Sequence, residues 1–220
     1  MKSTYGAPLG STLEDWPISY EELAPYYERA EWDLGVSGKS GSNPFEGPRG
    51  NDYPMPPLPF NREASLLAPA GRKIGLHPFP IPMAINSKPY MGRGACVQCP
   101  HCVGFRCEVD AKGSTAVTVI PRAIATGNCV LKTGCVVKEV LTDASGKASG
   151  VAYFDPQGKL VEQPARVVVV AASATETARL LLNSRSKVHP NGLGNRYGWV
   201  GRNLQGHAYS GAFGLFEQET

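Results

Sequence analysis

The spacing of apolar side chains changes character along the chain, and each change predicts a different element. Ser19 and Glu22 stand at capping-box spacing, so a helix is predicted to start near Tyr20, to bend or restart at Pro25 and to stop at Gly35. Its Tyr, Leu and Trp positions suit one buried face. The rhythm then stops: residues 37–61 are rich in Gly, Pro, Ser and Asn, which favour turns, and carry almost no period. A long irregular segment inside a compact protein usually performs a task or links two parts. Residues 62–75, REASLLAPAGRKIG, regain a helical pattern interrupted by Pro69, and the proline-rich 77–86 suits an edge strand rather than a central one. Residues 114–127 predict a further helix ending at Gly127.

From Cys129 onward the period shortens to that of strands. Four or five β-rich runs, separated by SGK and DPQGK turns, predict a meander. The last run, RVVVVAA at 166–172, is apolar throughout, the pattern of a strand covered on both faces in a parallel sheet. Ser173 and Glu176 repeat the capping-box spacing, and Leu180, Leu181 and Leu182 supply the apolar stripe of a helix that follows at once. Strand, tight turn and helix form the repeat of a doubly wound nucleotide-binding fold. The expected fold class is therefore mixed α/β, a partial doubly wound sheet with a β-meander, wrapped by an irregular first half.

Composition narrows the function. The chain has 220 residues, enough for one or two domains with a real core. A formal charge of +3, with Lys and Arg scattered, gives no basic stripe, so nucleic acid is not an expected partner. The first residues lack a signal-peptide core, and no run approaches the ~20 apolar residues of a membrane helix. His77, His101, His189 and His207 come with neither HExxH nor GxSxG, so zinc-hydrolase and Ser-His-Asp schemes have no constellation to stand on. Nothing in the sequence supports paired carboxylates for glycoside hydrolysis. The cluster GLGNRYG at 192–198 has the wrong spacing and follows a helix, so it is expected to be a loop rather than a phosphate cradle.

The densest chemistry lies in ACVQCPHCVGFRCEVDAKGS, residues 95–114, where Cys96, Cys99, Cys102 and Cys107 are spaced CxxCxxCxxxxC. A bacterial ferredoxin run differs from this by one residue and a final proline. An iron-sulfur cluster, disulfides, free thiols and structural zinc all remain open, with the redox compartment bearing on the choice. His101, within the nest, is expected to be a turn histidine. Cys129 and Cys135, on the predicted meander, are expected to be small buried hydrophobes.

Five segments in fixed order carry a resemblance: DWPISYEELAPYYERAEWDLGVSG, the cysteine-rich segment running into EVDAKGST, VLKTGCVVKEVL, VVVVAASATETARLLLNS and VGRNLQGH. Together they resemble the glucose-methanol-choline (GMC) family of FAD-dependent oxidoreductases, most of all its bacterial gluconate-dehydrogenase-like branch. The resemblance implies oxidation of a CH–OH group of a sugar, sugar acid or other alcohol by hydride transfer to FAD. Family members run to more than twice this length, with a GxGxxG element before the matching region and a histidine pair after it. The chain is therefore expected to be a central fragment, inactive alone, with no catalytic residue of its own.

By the same resemblance, residues 1–113 form a helical and irregular cap or linker region with the cysteine nest. Residues 114–205 form part of the FAD-binding domain, and 206–220 begin the substrate domain. Val137 matches the strand position set against the adenine, while Ala171, Ala172 and Ser173 stand at the cofactor end of the return strand. The motif GxNLxDH appears as GRNLQGH, and Gly206 in place of Asp makes His207 a loop or boundary residue rather than a catalytic one. Some membrane-associated relatives hold a three-iron cluster here, and Cys96, Cys102 and Cys107 form the nearest triple, out of register by one residue. Such a centre would pass electrons singly to a heme partner. A cytochrome c or small accessory subunit and a periplasmic setting follow from the resemblance alone. The alternative is a stand-alone cysteine-rich iron-sulfur or metal-binding module without flavin chemistry.

Overall fold

In the computed structural model, which describes residues 2–207 with Gly211 and Gly214, two units divide the chain after Cys129. The expected start of a substrate domain at 206–220 falls mostly outside the described residues. No described helix is long and apolar enough to cross a membrane.

The first unit carries α1 (Lys2–Tyr5), α2 (Tyr20–Leu34), α3 (Arg62–Lys73) and α4 (Val119–Ala125). The capping box of α2 forms as its spacing predicts: Ser19 Oγ accepts from the Glu22 N–H at 3.2 Å, and the Glu22 carboxylate accepts from the Ser19 N–H at 2.8 Å. Pro25 sits within the helix without ending it, forgoing only the bond to the Glu21 carbonyl. Gly35 closes the helix in the left-handed region, at φ 75°. Pro69 likewise lies inside α3 rather than interrupting it, and Asn61 Oδ1 caps that helix by accepting from Ala64 at 2.9 Å. The helix expected over 114–127 shortens to α4, whose N-cap Thr118 makes no side-chain cap bond. No edge strand forms over 77–86. Pro78, Pro80 and Pro82 remove alternate donors, and single bridges from Ser37 to Met83 and from Ile85 to Lys112 take its place.

Polar groups hold the irregular chain together. Asn86, fully buried, donates through Nδ2 to the Gly94 carbonyl at 3.1 Å, while its backbone pairs with Ala111 and Cys96. Arg93, 8 % exposed, donates to the carbonyls of Leu34 at 2.8 Å and Asp110 at 3.2 Å. Both feet of the cysteine-rich loop are thereby tied to the end of α2. A Cβ at Gly113 would lie 2.4 Å from the Leu34 carbonyl, so only glycine allows this approach. Nearby, Arg49 pairs with Glu31 and Glu46, its guanidinium 3.9 Å from the centre of the Tyr53 ring.

The second unit is an antiparallel sheet in the order β1 (Val136–Thr142), β2 (Ala148–Phe154), β3 (Leu160–Pro164), followed by α5 (Ser173–Asn183). Asp143 and Asp155 make the two hairpin turns, each carboxylate accepting backbone N–H groups two and four residues on. Val140, Ala152 and Tyr153 are buried. Ser184 then fastens α5 to the sheet, accepting from the Val140 N–H at 2.9 Å and donating to the Leu180 carbonyl at 2.7 Å.

Residues 167–171 form no strand, because they have no ladder partner among the described residues; Val167 and Val169 stand 76 % and 84 % exposed. The expected partial doubly wound sheet is not seen among the described residues, whose one sheet is the antiparallel three-stranded meander. The Ser173 capping box is absent as well: Ala172 is the N-cap, Ser173 is the first helical residue with φ 70°, and Glu176 turns to Arg179 at 2.6 Å instead.

Candidate functional site

The bulge in β1 shapes the best-supported site. Pairing with β2 runs from Val137↔Tyr153 directly to Glu139↔Ala152, leaving Lys138 as the extra residue and bending the strand. The bend and the docking of α5 by Ser184 frame a cavity of about 520 Å3 lined by Val137, Lys138, Phe154, Ala172, Glu176 and Arg179, among others. Val137 and Ala172 therefore both line this cavity. Ala171 lies just before Ala172 in exposed irregular chain, and Ser173 opens α5 without lining the cavity. The first turn of α5 has no side-chain cap, so its N–H groups stay free of a side-chain acceptor at the cavity edge. The Ala172 N–H, just before it, is held by Thr177 Oγ1 at 3.1 Å. Lys138, Glu176 and Arg179 were not legible as site residues. A single exposed charge on a strand or helix carries no motif, and the bulge that turns Lys138 toward the cavity has no sequence signature.

The cysteine nest does not assemble as a metal centre. All six cysteines are free, and among the described residues no group of three or more His, Cys, Asp or Glu side chains is arranged to hold an ion. Of the alternatives left open for Cys96, Cys99, Cys102 and Cys107, iron-sulfur or zinc ligation is therefore not supported. Cys99, Cys102 and Cys107 instead line a cavity of about 450 Å3, while Cys96 is absent from its lining and accepts from the Gln98 N–H at 3.3 Å. The Lys112 N–H, and with it those of Val109 and Ala111, holds the Cys107 thiol below its ordinary pKa despite burial and the Asp110 charge. Cys129 is exposed and Cys135 half-buried, against the expectation that both would be buried. Cys135 instead joins the wall of the Val137 cavity.

The histidines are dispersed. His77 packs edge-on to Phe45, His101 to Phe105, and His189 Nε2 lies 2.9 Å from the Gly146 carbonyl. His207 lies in irregular chain at the end of the described stretch.

Comparison with known proteins places these features. A gluconate 2-dehydrogenase flavoprotein from Pantoea cypripedii is 32 % identical over 231 residues, covering 97 % of this chain and 37 % of its own length. A fructose dehydrogenase large subunit from Gluconobacter japonicus is 32 % identical, covering 94 % and 37 %. A 6'''-hydroxyparomomycin C oxidase from Streptomyces lividus is 38 % identical, covering 86 % and 34 %. The chain thus spans little more than a third of the length of these curated relatives. The family model for GMC oxidoreductases matches residues 55–209, which takes in the cysteine loop, the meander and α5. The chain belongs to the GMC oxidoreductase family, whose members bind FAD.

Proposed function

We propose that this chain forms the central part of an FAD-dependent dehydrogenase acting on the CH–OH group of a sugar, sugar acid or other alcohol. In this reading Val137 contacts the adenine, and Ala171, Ala172 and Ser173 border the cofactor beyond it. The observation that carries it is that Val137 and Ala172, far apart in sequence, line the same cavity. The residues present suit the group: Val137 and Phe154 offer apolar surface to a flat base, and the uncapped first turn of α5 offers N–H donors to an anionic chain. Bound FAD supplies the hydride acceptor. The chain's own share is to hold the cofactor's adenosine end and fix its direction, with Ser184 keeping α5 in place.

The relatives named for gluconate and fructose favour a sugar or sugar acid as substrate, and the fructose enzyme, a large subunit, favours an accessory subunit as partner. A cytochrome c acceptor fits the same dehydrogenase reading. Family membership weighs against a stand-alone metal-binding module. Titration of the 15N-labelled chain with ADP tests the site: amide shifts should concentrate at 136–138 and 172–177, and shifts confined to residues 2–129 would refute it. In the enzyme that carries this segment, anaerobic addition of a sugar acid or alcohol should bleach the flavin absorbance. A flavin that stays oxidised with every sugar, sugar acid and alcohol tried would refute the reaction.

A further inference from the structure

The sequence Cys99-Pro100-His101-Cys102 is a CxxC dithiol, and the flavin-linked function proposed above gives it no task. Both sulfurs belong to exposed residues, and both line the same cavity of about 450 Å3. Val97, Phe105 and Val109 give that cavity apolar walls, and Arg106 places a cation there whose side chain is 83 % exposed. Such a cavity takes a small organic molecule, with room for an acidic substituent beside Arg106. The loop is held rather than slack. Lys112 Nζ donates to the Cys102 carbonyl at 2.6 Å and to the Phe105 carbonyl at 3.4 Å, and the His101 ring packs edge-on to Phe105 at 6.0 Å. Cys96, half-buried and outside the cavity lining, is set apart from the pair.

We propose that Cys99 and Cys102 form a thiol-exchange site that reacts with small organic disulfides to close an intramolecular disulfide, which two small thiols reopen by the reverse exchange. One thiolate attacks a sulfur of the small disulfide; a protein–small-molecule S–S bond forms, the original S–S bond breaks, and one small thiolate leaves with the electron pair. The second cysteine attacks the protein sulfur of that mixed disulfide and expels the second small thiolate. The two cysteine protons end on the two released thiols. The protein loses two electrons and the small disulfide gains them, so no other oxidant is needed.

Oxidised glutathione is the probe. After exposure of the whole chain and quenching, trypsin cleaves after Arg93 and Arg106 and releases residues 94–106, which contain Cys96, Cys99 and Cys102 but not Cys107. The expected result is loss of two hydrogens from this peptide, with fragmentation placing the link between Cys99 and Cys102. C99S and C102S should each retain glutathione on the remaining cysteine as a lasting adduct, and C96S should behave as wild type. Ring closure should be faster in the native chain than in the same chain in urea, because the pinned loop holds both thiols on one cavity. A link to Cys96 or Cys107, adducts without an internal bond in the wild type, or equal rates with and without urea would overturn the proposal. None of these readouts depends on flavin.

Discussion

The two units solve the same problem, an excess of backbone polar groups, in opposite ways. The second pairs its backbone in a ladder: three short strands and two Asx turns satisfy most donors locally, and one side chain, Ser184, joins α5 to the sheet. The first has almost no strand, so side chains take over. Asn86 and Arg93 are buried and spend their donors on the carbonyls of Gly94, Leu34 and Asp110, and Arg49 binds two carboxylates at once. Irregular chain is kept in one shape here by a few polar residues, each serving several partners.

That difference makes the first unit the more fragile to a single substitution. Arg49→Met removes a cation whose side chain is 14 % exposed and leaves Glu31 and Glu46 facing each other, a loss of about 3 kcal/mol by the usual cost of breaking such a pair. Urea unfolding checks it, together with hydrogen exchange across residues 28–53; a loss well below 1 kcal/mol would mean that the network is ornamental. Ser184→Ala should cost less, about 1.5 kcal/mol, because one buried N–H, that of Val140, loses its acceptor. Exchange of the Val140 amide is the direct readout. If that amide stays fully protected, Ser184 is not what fastens α5.

The same contrast governs what the sequence made legible. Capping-box spacing at Ser19 and Glu22, the αL stop at Gly35 and the Asp turns of the meander are local devices, and all were readable because their partners lie within a few residues. The hub of Asn86 and Arg93 was invisible, since its partners at Leu34 and Asp110 are set by the path of the chain. Residues 167–171 failed for a related reason: an apolar run states that a strand is wanted but not which strand will pair with it. Of the candidate site, Val137 and Ala172 came from the family resemblance. The bulge that brings Lys138 to the cavity depends on strand pairing, whereas Glu176 had a competing local partner three residues on, Arg179, which took it from the predicted cap. The cysteine spacing was legible, but spacing alone does not say whether thiols converge, and among the described residues three of the four line a cavity without forming an ion site.

At a smaller energy scale the two units also titrate in opposite directions. Burial, and then the bond its hydroxyl donates to Glu46 Oε1 at 2.9 Å, push Tyr53 up to about 12, with Arg49 pulling the other way. A raised pKa favours the neutral phenol, so this contribution is complete below the ordinary value of 10.0 and disappears as pH rises through about 12. Phenolate absorbance of the wild type against Tyr53→Phe should show one late-titrating tyrosine, and Arg49→Met should move it later still. Asp143, in the second unit, runs the opposite way. The Ser145 hydroxyl first, then the Lys147 N–H, hold its carboxyl below 3.8. A lowered pKa favours the carboxylate, so the turn is supported above the ordinary value and weakens only as pH falls through the folded one. A carboxyl titration by NMR should give a midpoint under 3.8, and Ser145→Ala should move it upward. Because Asp143 is exposed and its donors lie within four residues, the turn itself sets this shift, and it should persist where the Tyr53 shift, which needs the folded network, is lost.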